Sequence, residues 1–165
     1  MQDPVDCLVN YRQNVICVPM GAWRKALGDL GEICVCSYLQ SRGWNIEARG
    51  FRRFRSPEID VVALDPQGVL VFIEVKTRAF ANGGLDEFDV GLQSVDRRKQ
   101  AKLIKAARTY YSESSSASYA GRRFDVLALS IGKYQVFVQD EEEFLEVKPS
   151  DVRLLHIEDA FRPGF

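Results

Sequence analysis

Two short strings hold the residues with chemistry in them, Glu58-Ile59-Asp60 and Glu74-Val75-Lys76. Both lie in apolar runs that read as β-strands, Glu58 to Leu64 and Val69 to Thr77. Side chains alternate across a strand. Val71, Ile73 and Val75 therefore share one face, and Glu74 and Lys76 share the other. In the earlier strand Ile59, Val61 and Ala63 face one side, and Glu58, Asp60 and Val62 the other. The Asp65-Pro66-Gln67-Gly68 link between the runs is turn chemistry. A hairpin about it brings Asp60 near Glu74. Two carboxylates that close repel unless a proton or a cation sits between them. Oxygen ligands of this kind suit Mg2+ or Mn2+. An ammonium such as Lys76 beside them could position a water or stabilise charge on a phosphate. These are the parts needed for metal-assisted phosphodiester hydrolysis. The competing reading is a surface ion pair on a half-exposed sheet, which an E-x-K string alone does not exclude.

An anionic partner is suggested by local charge, not by the whole chain. Formal net charge is −1 and the pI about 5.9. Two clusters are basic. Arg49, Arg52, Arg53 and Arg55 lie between the first two strands. Arg97, Arg98, Lys99, Lys102, Lys105 and Arg108 dominate a helix with no acid from 97 to 112. Leu103, Ile104, Ala107 and Tyr110 supply that helix with an apolar side. Phosphate contacts need such locally positive surface, although a solvated helix face has the same composition. Lys99-Gln100 could sit near a scissile phosphate.

The elements that must position these residues follow from periodicity. A helix from about Trp23 to Ser41 places Leu27, Leu30, Gly31, Cys34, Val35 and Tyr38 on one buried face, and Gly43 ends it. Glu32 lies off that face, where a solvated glutamate is the ordinary reading. Strands follow at 44–51, 58–64 and 69–77, and their short links imply an antiparallel meander. A long segment from Arg78 to about Leu92 reads as a functional flap. Its Asp86, Glu87 and Asp89 read as solvated loop acids. A second helix spans about Ser94 to Ser112. Further strands cover Phe124 to Ser130 and Tyr134 to Gln139, and an irregular or short helical cap follows from Pro149. A strand pair separated by a helix needs a crossover, so the fourth strand runs parallel to one of the first three. The expected fold is α/β, a mixed sheet with helices on its faces. Residues 1–20 read as an N-terminal extension and 21–165 as a single domain. Met20, just before the first clear element, is a candidate alternative start. Phe51, Phe54, Phe72 and Phe124 read as core or strand-edge residues, Asp125 as structural, and His156 as a packing or hydrogen-bonding residue.

These residues resemble the YraN-type proteins, a bacterial group of the P-D-(D/E)-x-K nuclease superfamily related in fold to archaeal Holliday junction resolvases. The matching residues are Gly31-Glu32, Phe51-Arg52, Glu58-Ile59-Asp60 and Val71-Phe72-Ile73-Glu74-Val75-Lys76-Thr77-Arg78. They continue with Val95, Lys99-Gln100, Arg123-Phe124-Asp125-Val126 and His156-Ile157-Glu158-Asp159-Ala160-Phe161. The resemblance implies a restriction-endonuclease-like sheet built as helix, three-stranded meander, helix and parallel strand. It implies a Mg2+- or Mn2+-dependent endonuclease acting on DNA, on branched or structured substrates. Asp60 and Glu74 would be metal ligands, Glu32 would complete the site directly or through water, and Lys76 would orient the attacking water. Arg52, Arg53, Arg55, Arg78, Arg98, Lys99, Gln100 and Lys102 would meet DNA. Resolvase-like nucleases often act as dimers, so the resemblance admits a homodimer, while the residues leave the oligomeric state open. One departure stands out: Pro57 occupies the position before Glu-Ile-Asp where the family usually has glycine. Proline is tolerated at a strand start, so the site is expected to survive it.

Other classes are excluded. There are 4 cysteines and 1 histidine, with no C-x-x-C, which argues against a zinc site and for a reduced, cytoplasmic chain. No apolar run is long enough to span a membrane, and no signal peptide is evident.

Overall fold

The computed structural model describes residues 15–18, 23–53, 57–79, 95–114, 118–131, 134–139, 142–147 and 152–163. A short strand, β1 (Val15–Val18), comes first. Helix α1, Trp23–Ser41, buries Leu27, Leu30, Cys34, Val35 and Leu39, the spacing of one helical face. It ends at Gly43, whose φ of +81° is the left-handed conformation glycine adopts freely. Gly43 N–H donates to Gln40 O and Trp44 N–H to Leu39 O, so the last carbonyls of the helix are satisfied.

Three strands follow: β2 (Asn45–Phe51), β3 (Ile59–Leu64) and β4 (Val69–Ala79). They form the antiparallel meander read from the sequence, with Leu64 opposite Leu70 and Val61 opposite Ile73. The Asp65 carboxylate fixes the hairpin by accepting from Gln67 N–H and Val69 N–H. Helix α2, Arg97–Glu113, then crosses to β5 (Gly121–Ile131), which runs parallel to β4. The helix starts three residues later than periodicity suggested, because Asp96 is its cap and accepts from Lys99 N–H.

The last three strands are β6 (Tyr134–Gln139), β7 (Glu142–Val147) and β8 (Val152–Phe161). The large sheet has the order β2-β3-β4-β5-β8. The stretch expected to be an irregular or helical cap is therefore a strand, antiparallel to β5. Its pattern hid because the strand is bulged. Asp159 adopts φ +50°, and the register slips between Phe124 and Val126, which breaks the period-2 alternation. A smaller sheet joins the remaining strands in the order β1-β7-β6. Of these, β6 is legible in the sequence, whereas β7 and β1 are not.

Both faces of the large sheet are covered. Val35, Cys36 and Leu39 of α1 pack with Val61, Ala63, Val71 and Ile73 on one side. Leu103, Ala106 and Ala107 of α2 pack with Val62, Leu70, Phe72 and Phe124 on the other. The face carrying Glu74 is therefore interior at its centre. No helix among the described residues is long and apolar enough to cross a membrane.

α1 lies unusually close to β4 at one point. A Cβ at Gly31 would come within 1.8 Å of Thr77 Oγ1 and 3.2 Å of Thr77 Cγ2. Thr77 Cβ would itself lie 3.0 Å away, so rotating the side chain does not remove the crowding. Gly31→Ala is expected to lower stability by about 1–3 kcal/mol, and adding Thr77→Ala should return part of that loss. Denaturant unfolding measures both, and an unchanged midpoint for Gly31→Ala would mean the helix can stand off the sheet freely.

Candidate functional site

The site forms where the β3–β4 ladder stops. Paired residues run from Leu64–Leu70 to Val61–Ile73, so Asp60 and Glu74 are the next opposing positions. There the pairing changes character: Asp60 Oδ2 accepts from Val75 N–H at 2.7 Å. A side-chain carboxylate takes the place of a strand carbonyl.

Glu74 is buried, with 3% of its side chain exposed. Its Oε1 accepts from Lys76 Nζ at 2.6 Å. Lys99 Nζ lies 2.9 Å from the other oxygen, Oε2. That contact is an ion pair by distance but lacks hydrogen-bond geometry, so Oε2 is a buried acceptor without a hydrogen-bond partner. Thr77 Oγ1, close to Gly31 of α1, is likewise buried without one. A buried carboxylate is costly unless paired, and two lysines from different elements supply the pairing. The surface ion pair considered from the sequence is thus not what the fold builds.

Asp60 responds to the same neighbourhood. Burial first, and then the Glu74 charge, push its carboxyl up to about 7, against the opposing hydrogen bond from Val75 and the Lys99 charge. Near neutrality Asp60 is therefore partly protonated, as a buried carboxyl beside another carboxylate is.

Glu32 projects from α1 beside Gly31. Burial raises its carboxyl above the ordinary range, Arg49 lowers it, and Asp29 and Glu58 add to the rise. Its charge reaches Asp60 as the weakest of that residue's influences. Among the described residues no hydrogen bond or ion pair joins Glu32 to Asp60 or Glu74.

Lys99 reads from the sequence as a residue near the phosphate, and its ion pair with Glu74 is what the sequence does not show. It precedes Leu103 by four positions, Ala106 by seven and Ala107 by eight. That places it on the buried stripe of α2, not on its solvated face. A lysine in register with an apolar stripe was the available signal. The Asp96 cap fixes the first turn, and Gln100 Nε2 donates to Val95 O at 2.9 Å, so Gln100 serves the turn and not the carboxylates.

The remaining basic residues sort by partner. Arg98, Lys102 and Lys105 are exposed along one flank of α2. Arg52 and Arg78 are exposed at the ends of β2 and β4. Arg53 is engaged with Glu113 at 2.8 Å and lies over the Phe51 ring. Arg55, Phe54, Asp86, Glu87 and Asp89, with most of the expected flap, lie outside the described residues.

A second polar cluster lies on the α1 side. Asp125, fully buried, accepts from Arg123 Nε and from Asp159 N–H, and its Oδ2 lies 2.8 Å from His156 Nε2. Arg123 Nη1 donates to Asp65 Oδ2 at 2.6 Å. This cluster joins β5, β8 and the β3–β4 turn. His156 and Asp125 therefore act in the hydrogen-bonding and structural parts that their sequence positions suggested.

A family model described as "Uncharacterised protein family UPF0102" matches residues 31–129. That span contains Glu32, Asp60, Glu74, Lys76, Lys99 and Arg123. Several relatives carry the same description. A UPF0102 protein of Desulforamulus reducens is 39% identical over 114 residues, which is 69% of this chain and 88% of the relative. One of Caldanaerobacter subterraneus subsp. tengcongensis is 33% identical over 138 residues, 84% of this chain and 96% of the relative. One of Synechococcus sp. is 41% identical over 100 residues, 61% of this chain and 72% of the relative.

Proposed function

Because the chain belongs to the UPF0102 family, the group its Glu-Ile-Asp and Glu-Val-Lys strings resemble, we propose that it is a divalent-metal-dependent endonuclease of DNA. Branched or otherwise structured DNA is the proposed substrate. One observation carries the proposal. Glu74 is a nearly buried carboxylate held by two ammonium groups, beside a second carboxylate, Asp60, that is raised to about 7. A carboxyl raised by burial and by a second carboxylate beside it, at the end of a β-ladder, is a frequent feature of working sites. The succession of α1, meander, α2 and parallel β5 supports a restriction-endonuclease-like reading of the fold.

Asp60 and Glu74 would hold Mg2+ or Mn2+, with Glu32 joining directly or through water. Among the described residues no three His, Cys, Asp or Glu side chains gather to hold an ion. A carboxylate pair still fits, because Mg2+ usually takes only one or two carboxylates and keeps several waters. Oε2 of Glu74, buried without a hydrogen-bond partner and 2.9 Å from Lys99 Nζ, is the acceptor such an ion would take in place of the ammonium. When bound, the cation supplies Lewis-acid stabilisation of the negative charge that develops on the phosphate. The chain's own groups do the rest. Glu74 orients Lys76 through Oε1, and Lys76 orients the attacking water. Lys99 adds a second positive charge where the phosphate would lie. Arg98, Lys102 and Lys105 would follow the phosphate backbone along the exposed flank of α2. We place the protein in the cytoplasm, with a homodimer as its assembly.

A second reading is a nucleic-acid-binding module that keeps the fold without cleavage. It is favoured by the two lysines, which already hold both Glu74 oxygens at 2.6 and 2.9 Å. A cleavage panel of linear, flapped and four-way DNA with Mg2+ and with Mn2+ separates the readings. Cleavage is expected, and Lys76→Ala should reduce it at least about 100-fold, the lower range for losing a general acid–base or positioning group. Salt-sensitive binding with no cleavage under either metal supports the module instead. Equal cleavage by Lys76→Ala would rule out this site.

A further inference from the structure

A cavity of about 440 Å³ opens between α2 and the ends of β5 and β8. Neither carboxylate of the candidate site lines it. Its inner wall is apolar: Phe72, Phe124, Phe161, Ile104 and Ala107. Phe124 and Phe161 are stacked, with centroids 4.8 Å apart. α2 packs over Leu70 and Phe72 and leaves this part of the sheet face open. The volume lies within the range of about 300–1,000 Å³ usual for ligand pockets.

Four arginines line the same cavity, and two of them are neutralised. Arg123 is held by Asp65 and Asp125, and Arg162 by Asp159. Arg122 lies 4.0 Å over the Tyr111 ring, a contact that leaves its charge intact. Arg108 has no acidic partner among the described residues. Both are exposed. The mouth therefore carries two uncompensated cations over an aromatic interior. That combination fits a planar, apolar body bearing an anionic group.

We propose that this cavity receives an unpaired nucleotide of the strand handled at Asp60 and Glu74, its base against Phe161 and Ile104 and its phosphate between Arg108 and Arg122. The inference rests on the nucleic-acid reading above. α2 spans both places, since Lys99 and Arg108 are nine residues apart on it, about 13 Å along its axis and half a turn around it. The axial part alone is about four nucleotides at a duplex rise of ~3.4 Å per strand. An acidic peptide could meet the arginines, but it would gain little from the ring pair. The class of substrate follows: DNA with an unpaired end or flap close to the cleaved bond.

The test is binding to labelled blunt duplex and to the same duplex with a short single-stranded overhang, by fluorescence anisotropy in EDTA. The wild type is expected to prefer the overhang about tenfold, the worth of one stacked base. Arg108→Ala/Arg122→Ala should lose that preference. Lys102→Ala/Lys105→Ala, which removes equal charge from α2 outside the cavity lining, should weaken both probes together and keep it. Thermal unfolding confirms that each variant is folded. No preference in the wild type, its equal loss in both double variants, or its suppression by an acidic peptide of matching charge would overturn the proposal while leaving DNA binding intact. No binding of either probe would overturn the nucleic-acid reading with it.

Discussion

Asp60→Asn is expected to abolish metal-dependent cleavage and, in the same protein, to raise stability at pH 8. The amide keeps an oxygen to accept Val75 N–H but carries no charge to bury. The sign follows from linkage. The Asp60 carboxyl is raised from 3.8 to about 7 by burial and by Glu74, so between those values the folded state holds a proton that the unfolded state has released. Stability therefore falls as pH rises from about 4 to about 7 and is level above that. A shift of this size is worth on the order of 4 kcal/mol. The amide variant escapes the loss, so its advantage should grow from about pH 4 to about pH 7 and then hold. Chemical unfolding at a series of pH values, taken as variant minus wild type, isolates Asp60 from the other carboxylates. Mg2+ should stabilise the wild type at pH 8 and leave the variant unmoved. Parallel pH–stability curves for the two proteins would show that Asp60 is not strained by its surroundings.

Arg123→Ala should lower stability by about 3–5 kcal/mol, the cost of stranding buried charge. Arg123 is the cation between two carboxylates whose side chains are 1% and 0% exposed, Asp65 and Asp125. Asp65 shapes the β3–β4 turn. Asp125 gathers His156 and the Asp159 amide from β8. One truncation thus leaves two interior anions and loosens the join between three strands. Arg123→Lys keeps the charge but cannot fork to both carboxylates, so an intermediate loss is expected. Thermal and denaturant unfolding decide the matter. A loss below about 1 kcal/mol, the range of an exposed pair, would mean that water reaches both carboxylates.

Much of this arrangement was legible in the chain itself. Local rules with short range settled it. Period-3.6 spacing marked α1, period-2 alternation marked β3 and β4, and Asp65-Pro66-Gln67-Gly68 marked the hairpin that sets Asp60 opposite Glu74. The helix before β5 implied that β5 runs parallel to one strand of the meander, and the fold makes that strand β4. The sheet edge was not legible, because the bulge at Asp159 breaks the alternation of β8, and because the short strands β1 and β7 find their partners at long range.

What the sequence determined by itself was the inventory and its local order: two carboxylates and a lysine on two adjoining strands, with a basic helix to follow. What only the tertiary structure decided was their environment. Packing of α2 on the sheet turns Glu74 from a candidate surface charge into a buried one. The same packing carries Lys99 to its second oxygen, and burial with the Glu74 charge raises Asp60 to about 7. Burial and long-range charge are sums over the whole fold, so no window of sequence contains them. They are what separate a pair of acids on a strand from a site.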